Sequence, residues 1–246
     1  MKPSAVITTP TIIWTDNDRY IVKRWVESMG WLFVSDCLFT SDDRYASVGL
    51  NPVRPAPINE KYLAYMWAKA WIQRRLGVNK FRQGFATNLF CVFRKLVFLL
   101  LIQGSSCYIL KRSYKEADTI LKARIMSTYD LIPKTISVWR DDIGREIEIN
   151  PKEILPKPEY FARDGVIKCR RWDKNHAELP PSYVYALEGT VEKARGITGS
   201  DATIDEAAFT VDLIKTYTAM SPAMEYIQLI SSPKKGEFQK FFISLK

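Results

Sequence analysis

The middle of the chain narrows the fold most, because it alternates between helix-like and strand-like segments. After Gly77 comes a loop-like stretch, residues 78–88, followed by a long apolar helical segment at 89–102. A turn at 103–106 leads to a short strand at 107–111. A helical segment at 114–129 then closes near Pro133. This strand–loop–helix–strand–helix order is the βαβ pattern of a parallel sheet, in which each crossover helix returns the chain to the end where the strand began. The expected fold is therefore α/β, with a central, mostly parallel sheet flanked by helices.

The flanks refine that expectation. Residues 20–33, rich in aromatic and β-branched side chains, hold a helix. Residues 51–57 (NPVRPAP) carry three prolines in seven positions, which demands an extended loop. That loop sets the expected boundary between an N-terminal segment or small subdomain, 1–57, and a core, 58–246. Residues 60–76 have helical spacing, with Tyr62, Tyr65, Met66, Ala70 and Ile72 available for one buried stripe and Gly77 as the stop. Further on, 143–149 and 166–172 read as strands of a more antiparallel region, 183–187 as another strand, and 203–205 as a strand end carrying acids. A last core strand spans 225–232 and stops at Pro233. Lys234, Lys235 and Gly236 then turn the chain before 238–245.

Several chemistries are disfavoured at once. Cys37, Cys91, Cys107 and Cys169 follow no zinc or redox spacing, and residues 1–10 lack a secretory apolar core, so the thiols read as reduced and mostly buried, in a cytoplasmic protein. His176 is the only histidine, which argues against a Ser-His-Asp triad or a histidine zinc site. The most apolar run, 96–102, is seven residues long, whereas a membrane span needs about 20. It reads as a buried helix.

Charge is unevenly placed. Residues 51–130 hold fourteen basic and four acidic side chains, while 131–246 hold seventeen of each, so the net charge of +9 comes from the middle segment. That surplus suits a polyanion, either nucleotide or nucleic acid, and also suits a basic solvated surface.

Three constellations carry chemistry. Residues 80–88, KFRQGFATN, offer a lysine, one glycine and a threonine, which are the parts of a loop whose backbone N–H groups, ammonium and hydroxyl hold phosphates and Mg²⁺. The G-x-x-x-x-G-K-[ST] pattern itself is absent, and taken alone the stretch also suits an ordinary loop. Residues 201–209, DATIDEAAF, place Asp205 and Glu206 where an Mg²⁺-dependent ATPase needs a metal-shell carboxylate followed by a water-polarising one. Acids at a helix N-terminus are the plainer alternative. Ser231, Ser232 and Pro233 end a strand with hydroxyls able to sense a γ-phosphate, or simply lead into a turn. The acidic pair lies 118 positions after Thr87, and Ser231 lies 26 positions after Asp205. That order is the one found in additional-strand (ASCE) P-loop ATPases.

In detail these residues resemble the large terminase subunits of tailed bacteriophages. Lys80-Phe81-Arg82-Gln83 is similar to the K-x-R-Q that opens the phosphate loop of many terminases. Residues 107–121 (CYILKRSYKEADTIL) resemble the strand and helix that follow, and 129–133 (YDLIP) the apolar segment closing with Leu-Pro. Ala194-Arg195-Gly196 with 205–209 (DEAAF) resembles the family's R-G … D-E-A-A-F, and Ser231-Ser232-Pro233 its coupling motif. The likeness runs from about residue 60 to the end. Two departures stand out. The family's loop glycine falls on Phe85, one place after Gly84, and the apolar run before Asp205 is interrupted by Asp201 and Thr203.

The resemblance implies an ATPase motor that moves double-stranded DNA into a procapsid. Lys80, Arg82, Gln83, Gly84, Phe85, Ala86, Thr87 and Asn88 would bind ATP. Thr87 and Asp205 would hold Mg²⁺, Glu206 and Lys80 would serve catalysis, and Ser231, Ser232 and Pro233 would couple hydrolysis to movement. Arg124 and Arg140 are candidates for an arginine finger given to a neighbouring subunit. The implied partners are DNA, a portal protein, a small terminase subunit and further copies in a ring, with the protein in the host cytoplasm and transiently on the procapsid. The nuclease domain that follows in the family is not expected in this chain. A helicase-like DNA-dependent ATPase and a non-hydrolysing DNA- or capsid-binding module of the same fold are the rivals.

Overall fold

The computed structural model describes residues 15–41, 51, 53–57, 60–80, 85–172, 175 and 177–232. Eleven strands form among them: β1 Phe39–Ser41, β2 Val53–Pro55, β3 Arg75–Asn79, β4 Ser106–Lys111, β5 Ile136–Arg140, β6 Arg145–Ile149, β7 Pro158–Phe161, β8 Val166–Trp172, β9 Glu178–Glu188, β10 Gly199–Asp205 and β11 Met224–Ser231. Seven of them make the central sheet in the order β3-β11-β10-β4-β9-β8-β7. The first five run parallel, and β8 and β7 extend the sheet antiparallel. β11 lies between the strand that leads to residue 80 and the strand that ends in the acidic pair. This inserted strand defines the additional-strand P-loop architecture. β1–β2 and β5–β6 form separate antiparallel pairs.

Register matters more than composition here. Asn79 pairs with Ser231, Asp205 with Ile230, and Leu110 with Ile204. The carboxyl ends of β3, β11, β10 and β4 therefore finish level. That edge is where open parallel sheets bind their ligands.

Helices cover both faces. One helical run, residues 86–101, carries a π-helical segment, Leu89–Phe93, inside it. Nearly all its side chains are buried, because it is wedged between the sheet and the helices Asp16–Glu27, Trp31–Cys37 and Lys61–Ile72. Ile21, Trp25, Phe33, Leu63 and Trp67 share one apolar cluster with Leu96, Val97 and Leu99. The first of those helices begins at a capping box, in which Thr15 Oγ1 accepts from the Asp18 amide and Asp18 accepts from the Thr15 amide. Gly30 has φ +76°, and a Cβ there would stand 2.5 Å from Val97, so the chain can pass the helix only without a side chain. On the other face, helix Leu213–Met220 covers Ala202, Ile204, Ile227 and Leu229.

Two expectations are corrected. The segment 60–76 is not one helix: it ends at Ile72, and Arg75–Asn79 is β3, with Gly77 inside the strand. Hydrogen bonding to β11 wins over helical propensity there. The buried stripe of that helix is Leu63, Trp67 and Ala70, while Tyr62, Tyr65 and Ile72 face solvent. The strand at 183–187 is longer than expected, because β9 pairs with neighbours on both sides.

The interrupted apolar run before Asp205 has a physical explanation. Strand side chains alternate faces. Ala202 and Ile204 join the cluster under helix Leu213–Met220, so Asp201, Thr203 and Asp205 all point toward the helical run 86–101. From that run Arg94 Nε donates to Asp201 Oδ1 at 2.8 Å, and Lys95 Nζ donates to Asp201 Oδ2 and, at 2.9 Å, to Thr203 Oγ1. Thr203 donates on to Gln228 Oε1, and Gln228 Nε2 returns to Asp201 Oδ1, each at 2.9 Å. All five side chains are fully buried. The Arg94 guanidinium also lies 4.2 Å over the Trp71 ring, with Phe98 and Tyr226 around it. Burial alone would raise the Asp201 carboxyl. Arg94 and Lys95 outweigh it and hold the group below its ordinary value of 3.8.

Candidate functional site

The level strand ends bring together residues far apart in sequence. Lys80 leaves β3 with its amide still bonded to the Ser231 carbonyl, 2.8 Å away, so the strand pairing continues one residue past β3. Its Nζ donates to Thr87 Oγ1 at 2.5 Å and to Asp205 Oδ1 at 2.9 Å. Thr87, in the first turn of the helical run, places Oγ1 3.1 and 3.2 Å from the two Asp205 oxygens. The stretch after Val78 and the Asp205 carboxylate thus meet at the carboxyl edge of the sheet.

Asp205 is almost wholly enclosed, its side chain 1% exposed. Burial would raise its pKa, but Lys80 and Lys111 together outweigh burial and set it below the ordinary carboxylate value. Glu206 is different. It sits in the left-handed region at φ 59°, ψ 37°, with its side chain 45% exposed. The sharp turn separates adjacent acids into a buried one and an exposed one. Ser231 Oγ accepts from the Ala208 amide at 3.1 Å and ties the end of β11 to the loop after the acids. Ser232 follows directly at the strand end.

Phe85 has φ 57°, a backbone conformation that normally calls for glycine. This is the position where the terminase pattern carries its loop glycine. A phenylalanine stands there instead, and its ring packs on Phe93 at 5.5 Å. Ala86 is buried behind it. Asn88 accepts from Arg124 Nη1 at 3.2 Å, so Arg124 stands beside the start of this helical run in its own chain. Arg140 is elsewhere. It pairs with Asp142, donates to Asn17 and stacks on Tyr20. Arg82, Gln83, Gly84 and Pro233 lie outside the described residues, as does His176.

Lys111 also joins the site, unmarked by any motif in the sequence. It ends β4, and its Nζ lies 3.2 Å from Asp205 Oδ2 and 3.8 Å from Glu206 Oε1. Desolvation would lower its pKa, but Asp205 and Glu206 raise it above the usual lysine value. A carboxylate and a hydroxyl converge at the centre of the site. Both are hard oxygen donors, the chemistry that suits Mg²⁺.

Among the described residues no helix is long and apolar enough to cross a membrane, and all four cysteines are free and buried. No protein-family model and no curated protein sequence matches the chain. Among solved structures, a mutant large terminase ATPase domain from Thermus phage P74-26 superposes with a TM-score of 0.52 at 15% identity, covering 84% of this chain and 75% of that one. The chain therefore has the fold of a phage large terminase ATPase domain.

Proposed function

We propose that this chain is a Mg²⁺-dependent ATPase motor of the terminase kind, hydrolysing ATP to drive double-stranded DNA into a procapsid. The observation that carries the reading is the convergence of Lys80, Thr87 and Asp205 at the carboxyl ends of an additional-strand sheet. Such a fold supports several activities, so the site must decide.

The roles follow from the side chains. Lys80 exchanges its ion pair with Asp205 for the phosphate oxygens of ATP, which offer it more negative charge. Arg82, Gln83 and Gly84, with the amides of residues 85–88, line the same phosphates. Thr87 and Asp205 would hold Mg²⁺, which when bound supplies neutralisation of the phosphate charge. Glu206, exposed and adjacent to that point, orients and polarises the attacking water. Ser231 is placed to pass the loss of phosphate to the loop at Ala208 through their hydrogen bond. An arginine from a neighbouring copy in a ring completes the charge stabilisation. Arg124, beside Asn88, and Arg140, near the N-terminal helix, are the candidates. The basic surplus contacts the DNA backbone, so binding is salt-sensitive and sequence-tolerant. Portal protein and small terminase subunit are the proposed assembly partners, and the host cytoplasm and procapsid surface the proposed locations.

Steady-state phosphate release by wild type and by Glu206→Ala tests the catalytic assignment. A loss of about 10²-fold or more is expected, the usual scale for a general base. Equal rates would overturn it. A strand-displacement assay separates packaging from unwinding: the proposed motor leaves duplex substrates intact.

A further inference from the structure

Two lysines reach Asp205, one from each side of its strand. Lys80 comes from the loop strand and has phosphates to go to. Lys111 comes from the far side of Asp205, at the end of β4, and is enclosed, with its side chain 13% exposed. Its ammonium touches Asp205 Oδ2 at 3.2 Å and faces Glu206 Oε1 at 3.8 Å. Lys80 and Thr87 contact Asp205 Oδ1, and Thr87 reaches Oδ2 as well. Both oxygens of the buried carboxylate are thus taken by protein groups, and two lysines balance two acids.

We infer that Lys111 is a positioning residue, a built-in counter-ion that holds the Asp205–Glu206 pair in the nucleotide-free site and competes there with the divalent cation. Resting on the reading of Asp205 and Thr87 as metal-holding groups, this adds a control step to it. A divalent cation arriving at Asp205 meets a like charge a few ångströms away among largely buried side chains, where Coulomb repulsion is strong. Metal alone binds weakly. Metal brought in with a polyphosphate binds well, because the added negative charge compensates both lysines. Lys111 thereby makes metal capture depend on nucleotide, and it keeps Glu206 paired until the site is filled.

The test is a titration of nucleotide-free protein with Mn²⁺, following the electron paramagnetic resonance signal of the free ion. Lys111→Met and Lys111→Gln are expected to bind Mn²⁺ about tenfold more tightly than wild type, the scale of removing one near charge from a shielded site. Lys111→Arg keeps the charge and keeps wild-type affinity. Lys23→Met removes an exposed helix lysine paired with Glu27 and changes nothing. Thermal melts confirm that each variant is folded. If the Met and Gln variants bind Mn²⁺ no more tightly than wild type while Asp205→Asn abolishes binding, the counter-ion role of Lys111 is wrong and the metal assignment stands. If Asp205→Asn binds Mn²⁺ like wild type, the metal assignment falls and takes the role of Lys111 with it.

Discussion

Replacing Asp201 by alanine is expected to destabilise the protein by about 3–5 kcal/mol, the cost of leaving buried charge without its partner. The magnitude comes from what the carboxylate does. It accepts from Arg94 Nε at 2.8 Å, from Gln228 Nε2 at 2.9 Å and from Lys95 Nζ, and all three donors are fully buried. Removing it leaves two cations facing each other with no anion between them. Lys95 keeps only Thr203 Oγ1, and Arg94 keeps the Ala70 carbonyl at 3.4 Å and its aromatic neighbours. Asp201→Asn retains one acceptor oxygen and should cost less. Lys95→Met should also cost less, because Asp201 keeps Arg94 and Gln228. In the Lys95→Met, Asp201→Asn double variant the two losses should fall short of their sum, since both act on one network. Urea denaturation followed by tryptophan fluorescence measures all four. A loss of about 3–5 kcal/mol corresponds to a drop in melting temperature of roughly 6–20 °C for a chain of this size. A cost below about 1 kcal/mol for Asp201→Ala, or strict additivity in the double variant, would show that Asp201 does not hold Arg94 and Lys95 as one network.

The remaining predictions concern the loop and the acids. Phe85→Gly should be more stable than Phe85→Ala by about 1 kcal/mol, because both lose the ring but only glycine relieves the left-handed backbone; chemical denaturation finding alanine equal or better would contradict this. Asp201 and Asp205 both titrate below the ordinary 3.8, so their contribution to stability is full above that value and is lost as pH falls through the lower folded-state values. The urea midpoint should therefore fall on the acid side of pH 3.8, and Asp201→Asn should flatten that limb; an unchanged limb would count against it. Ser231→Ala removes the acceptor for the Ala208 amide and should speed hydrogen exchange there by roughly fivefold, the equivalent of about 1 kcal/mol; an unchanged rate would show that the bond does not hold the loop.

Much of the site was legible because its chemistry is local. Asp205 and Glu206 at a strand end, Lys80 and Thr87 on either side of a glycine loop, and hydroxyls closing the last strand each carry a short-range signature, although the helix after that loop begins at Ala86 and not at the expected 89. Their order along the chain foreshadowed their meeting. The left-handed turn at position 85 was not legible, since a phenylalanine there conceals it. What escaped was non-local. Lys111 matters only because β4 pairs with β10, and no spacing in the sequence reveals that register. Asp201 looked like a flaw in an apolar strand because its two cations sit more than a hundred residues upstream, at the head of the most apolar helix. An acid in a core strand and adjacent cations opening a core helix are the same anomaly seen twice, and each explains the other. β3 was lost to helical spacing for a similar reason, because its identity depends on a partner strand that arrives at the end of the described chain.

Lys80, Thr87 and Asp205 are proposed to form a site for ATP with its divalent ion. Equilibrium titration with a fluorescent ATP analogue in the presence of Mg²⁺ tests it most directly. Saturable binding by the wild-type chain is expected, lost in Lys80→Ala and weakened in Thr87→Ala. Wild-type protein that fails to bind, or a Lys80→Ala variant that binds as tightly as wild type, would contradict it.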